Sequence, residues 1–105
     1  MTAIEFLKYT YKDNEYITRP RVTYNDGFSI SIQGGTKFHY CSPRILCNRY
    51  DEVELGFPSK RIPELSNYAE GKRHTKTVFG YVPIEEIEKV IEKHGGIKKI
   101  IEYVS

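Results

Sequence analysis

The sequence predicts an α+β fold, an antiparallel sheet with one or two C-terminal helices packed on one face. Three observations support this prediction: a hairpin turn between two β-prone segments, an alternation of apolar and polar residues after that turn, and apolar residues at helical spacing near the C-terminus. The chain has 105 residues, 39% of them apolar, so we expect a single domain over residues 1–105.

The hairpin is predicted around Asp26 and Gly27, because an Asp-Gly step between β-prone segments favours a tight turn. After this turn, Phe28, Ile30 and Ile32 alternate with polar residues. A strand has a side-chain period of two, so these three side chains are expected to share the core face of the sheet.

Further strands are predicted from short β-prone segments bounded by turn residues or prolines. These segments are 4–9, 16–18, 21–24, 53–57 and 78–82. Residues 36–52 are predicted to be largely irregular.

The helix with the clearest sequence pattern is predicted from about Pro83 to His94. Acidic residues in its first turn favour the helix dipole, and Gly95 follows its last turn as a left-handed cap. Its apolar stripe is expected to pack on the core face of the sheet, and consists of Ile84, Ile87, Val90 and Ile91. Residues 63–70 predict a short helix, and residues 97–104 repeat the helical spacing, which favours a second helix over a strand.

Composition argues against several classes of protein. The formal net charge of +2 lacks the basic excess typical of duplex-binding proteins, so nucleic acid is not an expected partner. No apolar segment is long enough to span a membrane, and residues 1–8 lack the pattern of a signal peptide, which predicts a cytoplasmic protein. Two cysteines, Cys41 and Cys47, are too few for a disulfide scaffold and are expected to stay reduced.

No motif predicts a cofactor, a metal or a catalytic group. Four residues have zinc-ligand chemistry without the paired spacing of a zinc site, namely His39, Cys41, Cys47 and His74. A Cys–His nucleophilic pair would use Cys41 or Cys47 with His39 or His74 as the base, but neither cysteine has a glycine elbow or an oxyanion loop beside it in the sequence. Glu52 and Glu54 would project to one side of a strand, an arrangement typical of a solvated face.

Binding residues are expected on the hairpin and in the loop that follows it. Arginine recognises phosphate or carboxylate groups bidentately, and tyrosine combines a large ring with a hydrogen-bonding hydroxyl. A tight turn would bring two arginines and two tyrosines together as a site for a nucleotide-like anion or as a protein interface. The candidate binding residues are Arg21, Tyr24, Gln33, His39, Tyr40 and Arg44. The alternative interpretation is an amphipathic sheet surface whose arginines extend into solvent.

Several segments resemble a group of small uncharacterised proteins encoded by phages and prophages of Gram-positive bacteria. The resemblance spans residues 26–97, and its segments are 26–33, 40–44, 53–59, 68–70, 77–83 and 93–96. It implies no catalytic residue, because no activity is established for that group. Small phage accessory proteins often disable host factors, so the resemblance implies a cytoplasmic anti-defence protein of an infected or lysogenic bacterium.

The expected function is therefore that of a non-enzymatic binding protein, which sequesters a small nucleotide signal or occludes a host defence protein. Two other hypotheses remain open. One is a small enzyme, such as a nucleotide hydrolase that uses Cys41 with His39, or a carboxylate. The other is an accessory protein that binds nucleic acid through Lys72, Arg73 and Lys76. The sequence leaves the assembly open and is compatible with a homo-oligomer.

Overall fold

Five antiparallel strands form one sheet in the computed structural model, which describes residues 1–14, 18–35 and 40–101. The elements in chain order are α1 (Ala3–Tyr9), β1 (Arg21–Tyr24), β2 (Ser29–Gln33), β3 (Glu52–Gly56), two 3-10 helices (Pro63–Tyr68 and His74–Lys76), β4 (Val78–Pro83), α2 (Ile84–Lys93) and β5 (Ile97–Ile101). The strands lie in the order β4-β3-β2-β1-β5. The predicted α+β class is confirmed, with one helix in the C-terminal region of the described chain.

The predicted hairpin is confirmed between β1 and β2. Asp26 Oδ1 accepts the N–H of Phe28 at 3.0 Å, and Gly27 has a φ of 90°, a backbone conformation that favours glycine. Ile30 and Ile32 are fully buried, whereas the serines beside them are partly exposed. The alternation in the sequence therefore identifies the core face of β2 correctly.

The predicted C-terminal helix is confirmed as α2. Its four stripe residues are buried and belong to the same hydrophobic cluster as the inner face of β2. Gly95 and Gly96 have φ values of 84° and 88°, and these left-handed conformations end the helix. The N–H of Gly95 donates to the carbonyl of Glu92 at 3.0 Å, and that of Gly96 donates to the carbonyl of Ile91 at 2.8 Å. The cap therefore satisfies main-chain carbonyls of the last turn.

The prediction of a strand at residues 4–9 is wrong, because this segment lies in α1. Thr2 and Glu5 form a capping box: the Thr2 hydroxyl accepts the N–H of Glu5 at 3.1 Å, and the Glu5 carboxylate accepts the N–H of Thr2 at 2.9 Å. Three apolar side chains at helical spacing form the buried face of the helix, namely Ala3, Phe6 and Leu7. Capping and spacing together outweigh the β propensity of the single residues.

The sequence predicts a second helix at residues 97–104, and this prediction is wrong for the described part of the segment. Residues 97–101 form β5, which pairs with β1. Residues 102–104 lie outside the described ranges. The carbonyl of Gly96 accepts the N–H of Asn25 at 2.9 Å, which attaches the chain to the hairpin as soon as α2 ends. Pairing with β1 satisfies main-chain groups that a sheet edge would leave open, and local spacing in the sequence does not report such pairing.

The other predicted elements differ only in detail. The strands predicted at 53–57 and 78–82 are confirmed within one residue as β3 and β4, and the helix predicted at 63–70 is the first 3-10 helix. In the strand predicted at 16–18, residues 16 and 17 lie outside the described ranges. No helix within the described ranges is both long enough and apolar enough to cross a membrane.

Candidate functional site

The candidate binding residue Tyr24 is part of the core. Its side chain is fully buried, and its ring packs against Phe28 and His94 at centroid distances of 5.2 and 5.7 Å. Among the described residues its hydroxyl has no hydrogen-bond partner, and burial raises the pKa of Tyr24 far above its ordinary value. The prediction of a surface role is wrong for Tyr24, because it shares the core-facing side of β1 with Val22.

The candidate binding residue Gln33 is also buried, and its side-chain amide is used within the fold. Its Oε1 accepts the N–H of Arg19 at 2.8 Å, while its Nε2 donates to the carbonyl of Arg19 at 2.8 Å and to Ser31 Oγ at 2.9 Å. These bonds attach the segment before β1 to the end of β2. Gln33 therefore has a structural role instead of the predicted surface role.

Arg19 anchors the loop that precedes β3. Its buried guanidinium donates to the carbonyls of Gly34, Leu7 and Cys47 at 2.9, 3.3 and 3.2 Å. The guanidinium carbon lies 5.7 Å from the ring centroid of Tyr50, and burial lowers the pKa of Arg19. Three main-chain segments are thereby held by one side chain.

Tyr50 completes this anchor. Its hydroxyl donates to the carbonyl of Ile45 at 2.7 Å and accepts the N–H of Cys47 at 3.1 Å. Burial raises the pKa of Tyr50 to about 12, so the hydroxyl keeps its proton for the first of these bonds. The ring lies against Gly34, where a Cβ would be only 2.6 Å from two ring carbons. Arg19 and Tyr50 therefore fix the loop from inside the protein.

Arg21 lies on the outer face of the sheet, opposite the hydrophobic core. Its Nε donates to Ser29 Oγ at 3.1 Å and its Nη2 donates to the carbonyl of Phe57 at 2.6 Å. These bonds tie β1 to β2 and to the residue that follows β3. The hydrogen-bond partners of Arg21 therefore lie within the protein. The other candidate, His39, lies outside the described residues.

Two candidates, Tyr40 and Arg44, lie together at the surface, and Tyr81 of β4 joins them. Tyr40 and Tyr81 are 43% and 41% exposed, and their rings lie 5.8 Å apart at an angle of 41°. The guanidinium carbon of Arg44 is 5.9 Å from the ring centroid of Tyr40, a cation–π geometry. We call Tyr40, Arg44 and Tyr81 the aromatic cluster.

Main-chain hydrogen bonds hold the aromatic cluster against the sheet. The N–H of Tyr40 donates to Glu54 Oε2 at 3.0 Å, and the carbonyl of Tyr40 accepts the N–H of Tyr81 at 2.9 Å. Glu54 is 8% exposed, so the solvated face predicted for it is wrong: the chain at Tyr40 lies over it. Gly80 permits this approach, because a Cβ there would lie 3.2 Å from both Tyr40 Cβ and Glu70 Oε1.

Tyr81 and Phe57 are exposed aromatic residues in the left-handed backbone region, with φ values of 53° and 50°. Such a conformation costs a non-glycine residue about 1–3 kcal/mol. At Tyr81 it accompanies a register shift between β3 and β4, and its N–H bonds to Tyr40 rather than to β3. Sequence reasoning missed Tyr81, because a regular strand at 78–82 places it on the same side as the buried Phe79.

The hypothesis of a reactive cysteine is not supported at Cys41. Its thiol is buried, and Sγ–H donates to the carbonyl of Gly35 at 3.0 Å. Burial raises the pKa of Cys41, so the sulfur stays a protonated thiol and is a poor nucleophile. Cys47 carries a second free thiol, and the two cysteines are not joined in the structure.

Ser66 and His74 do not form a nucleophile–base pair either. His74 Nδ1 accepts the N–H of Ile62 at 3.1 Å, which places the proton of the neutral ring on Nε2. Nε2 lies 3.5 Å from Ser66 Oγ and, because it already carries a proton, cannot take one from the hydroxyl. Among the residues that the structure describes, no group of three His, Cys, Asp or Glu is placed to hold a metal ion.

Comparison of the chain with protein-family models, with curated proteins and with solved structures gives no match.

Proposed function

We propose that this chain is a non-enzymatic phage accessory protein of the anti-defence type, which occludes a host defence protein by binding it through the aromatic cluster. The observation that carries the proposal is the contact between two exposed tyrosine rings at one edge of the sheet, with an arginine over one of them. Tyrosine and arginine are enriched among the few residues that supply most of the energy in protein interfaces.

Rigidity of the aromatic cluster favours binding. The main chain of Tyr40 is held at two points: its N–H donates to Glu54, and its carbonyl accepts the N–H of Tyr81. Immobilising a flexible side chain on binding costs about 0.5–1.5 kcal/mol, and a surface that is ordered beforehand avoids part of this cost. The left-handed backbone of Tyr81 is uncommon for an aromatic residue. Strained residues of this kind cluster at functional sites, which supports a binding role for the Tyr81 side chain.

The shape of the surface favours a protein partner over a nucleotide. Small ligands bind in clefts that bury most of their surface. Two clefts lie on the described surface outside the aromatic cluster, and none of their lining residues belongs to it. An exposed aromatic surface instead fits the interface of another protein.

A partner at this edge would bind through side chains rather than by adding a strand. The main chain of β4 is already engaged: the N–H of Glu70 donates to the carbonyl of Val78 at 3.0 Å, and the N–H of Tyr81 donates to Tyr40. An isolated bridge pairs Ala69 with Phe79. The side chains of the aromatic cluster therefore present the main contact surface of this edge.

The phage context and the absence of catalysis have separate support. The first rests on the sequence resemblance over residues 26–97. The second rests on the protonated thiol of Cys41 and on the ring proton at His74 Nε2, which leave neither group able to start nucleophilic catalysis.

Photo-cross-linking tests the proposal. The full chain would carry benzoylphenylalanine in place of Tyr81 and be irradiated in an extract of a Gram-positive host, and the adduct would be identified by mass spectrometry. The matched control carries the same group in place of Tyr9, which is 70% exposed on α1. We expect one host protein to be cross-linked at position 81 and not at position 9.

Affinity measurements with that purified protein complete the test. Tyr40→Ala and Tyr81→Ala should each weaken binding by about 30-fold, the effect of losing an interface hot spot. Tyr9→Ala should leave the affinity unchanged. Equal adducts at both positions, or cluster variants that bind like the wild type, would contradict the proposal.

A further inference from the structure

A second surface feature is lined by none of the residues of the aromatic cluster. A cleft of about 440 Å³ opens beside the two 3-10 helices. Its wall is formed by seven residues, namely Arg61, Ser66, Ala69, Glu70, Gly71, Lys72 and His74. The proposed function does not use these side chains.

The segment around this cleft is basic. Residues 60–76 contain five Lys or Arg and two Glu, a net charge of +3, whereas the whole chain has +2. One of these carboxylates, Glu64, is bound 2.9 Å from Lys93 of α2. Among the described residues, neither Arg61 nor Lys72 forms an ion pair. The other carboxylate, Glu70, lines the cleft itself, so two cations face one anion there and the lining keeps one net positive charge.

His74 adds a buried hydrogen-bond donor to the cleft wall. The residue is 4% exposed, and its Nδ1 accepts the N–H of Ile62, so Nε2 carries the ring proton. Its partner at Nε2 is Ser66 Oγ at 3.5 Å, the outer limit of a hydrogen bond. Burial and the positive charge of Arg61 lower the pKa of His74, which keeps the ring neutral and Nε2 a donor.

Arg61 is also weakly engaged. Its Nη1 donates to the carbonyl of Lys72 at 3.5 Å, which places the guanidinium beside the main chain of the 70–73 turn. The planar guanidinium retains N–H donors for an oxyanion. Two of these donors can bind two oxygens of one phosphate group at the same time.

We propose that this cleft binds the phosphoryl group of a small phosphorylated ligand, with Arg61 and Lys72 neutralising its charge and His74 Nε2–H donating to a phosphoryl oxygen. Arg61 and Lys72 outnumber the one carboxylate in the wall, Glu70, and the remaining positive charge favours a phosphoryl anion. The volume of the cleft lies within the range of small-ligand sites. A nucleic-acid strand would instead need a basic stripe that follows its backbone.

Nuclear magnetic resonance of the 15N-labelled full chain tests this site. The probes are inorganic phosphate, adenosine monophosphate, adenosine without phosphate, and a short single-stranded oligonucleotide without terminal phosphate. We expect saturable shifts of the Gly71, Lys72 and His74 signals with inorganic phosphate and with adenosine monophosphate. Adenosine alone should cause none, and the oligonucleotide should bind more weakly than adenosine monophosphate.

Charge variants distinguish the cleft from general attraction. Arg61→Gln and Lys72→Gln should each weaken phosphate binding about tenfold, the effect of one charge-assisted hydrogen bond. A matched pair, Lys89→Gln and Lys98→Gln, removes the same charge on α2 and β5 and should leave binding unchanged. The proposal is overturned if phosphate causes no saturable shift, if both pairs act equally, or if the oligonucleotide binds best.

Discussion

Gly34→Ala tests how the loop before β3 is held. A Cβ at this position would lie 2.6 Å from two carbons of the Tyr50 ring, well inside the 3.4 Å at which ordinary contact begins. The ring must therefore move by about 0.8 Å or the core must stay strained. Movement stretches the bonds of the Tyr50 hydroxyl to Ile45 and Cys47, each contributing about 1 kcal/mol. Strain from overpacking costs about 1–3 kcal/mol.

Either response predicts a loss of about 2–3 kcal/mol in the free energy of unfolding, measured by urea denaturation. Gly56→Ala is the matched control, because a Cβ there would meet Ser31 and Val78 at 3.7 Å, an ordinary contact. A double-mutant cycle assigns the cause. Gly34→Ala should cost little in a Tyr50→Ala background. In a Tyr50→Phe background the ring remains without its hydroxyl bonds, so the cost should be that of packing strain alone, about 1–3 kcal/mol. An equal cost in all three backgrounds would refute the assignment.

Three further predictions concern the core and the response to pH. Tyr24→Phe should leave stability unchanged or raise it, because the hydroxyl is buried without a partner among the described residues; a loss above about 1 kcal/mol would reveal an unrecognised hydrogen bond. Ile30→Ala should cost about 2–5 kcal/mol and Ser31→Ala about 1 kcal/mol, since the first leaves a core cavity and the second removes one hydrogen bond. Burial and the charge of Arg61 lower the pKa of His74 in the folded protein below its ordinary value of 6.5. As the pH drops below about 6.5, the unfolded chain therefore binds the proton before the folded protein does, and the free energy of unfolding falls. His74→Gln should flatten this part of the stability–pH profile, and an unchanged slope would show that other groups cause it.

The hairpin and α2 could be predicted because their signals are local. A turn residue, a period of two and a period near 3.6 are each visible within about ten residues of sequence. The capping box of Thr2 and Glu5 was equally local, so the error at α1 came from giving more weight to the β propensity of single residues.

β5 and the aromatic cluster depend on contacts between distant segments. β5 is selected by pairing with β1, and a helical spacing of isoleucines does not exclude that pairing. The cluster depends on a register shift and on the left-handed backbone at Tyr81, neither of which has a signature in this sequence. Sequence reasoning therefore found Tyr40 and Arg44, missed Tyr81, and wrongly placed Tyr24 at the surface.

Phage infection of a host that expresses the chain is the most direct test of the proposed function. Gram-positive strains that each carry a different defence system would express the wild type, Tyr40→Ala/Tyr81→Ala, Tyr9→Ala or an empty vector, with equal protein levels checked by immunoblot. We predict that the wild type and Tyr9→Ala restore phage plating on at least one defended strain, and that the double variant plates like the empty vector. Restoration by the double variant equal to that by the wild type, or no restoration by the wild type on any strain, would contradict occlusion of a defence protein through the aromatic cluster.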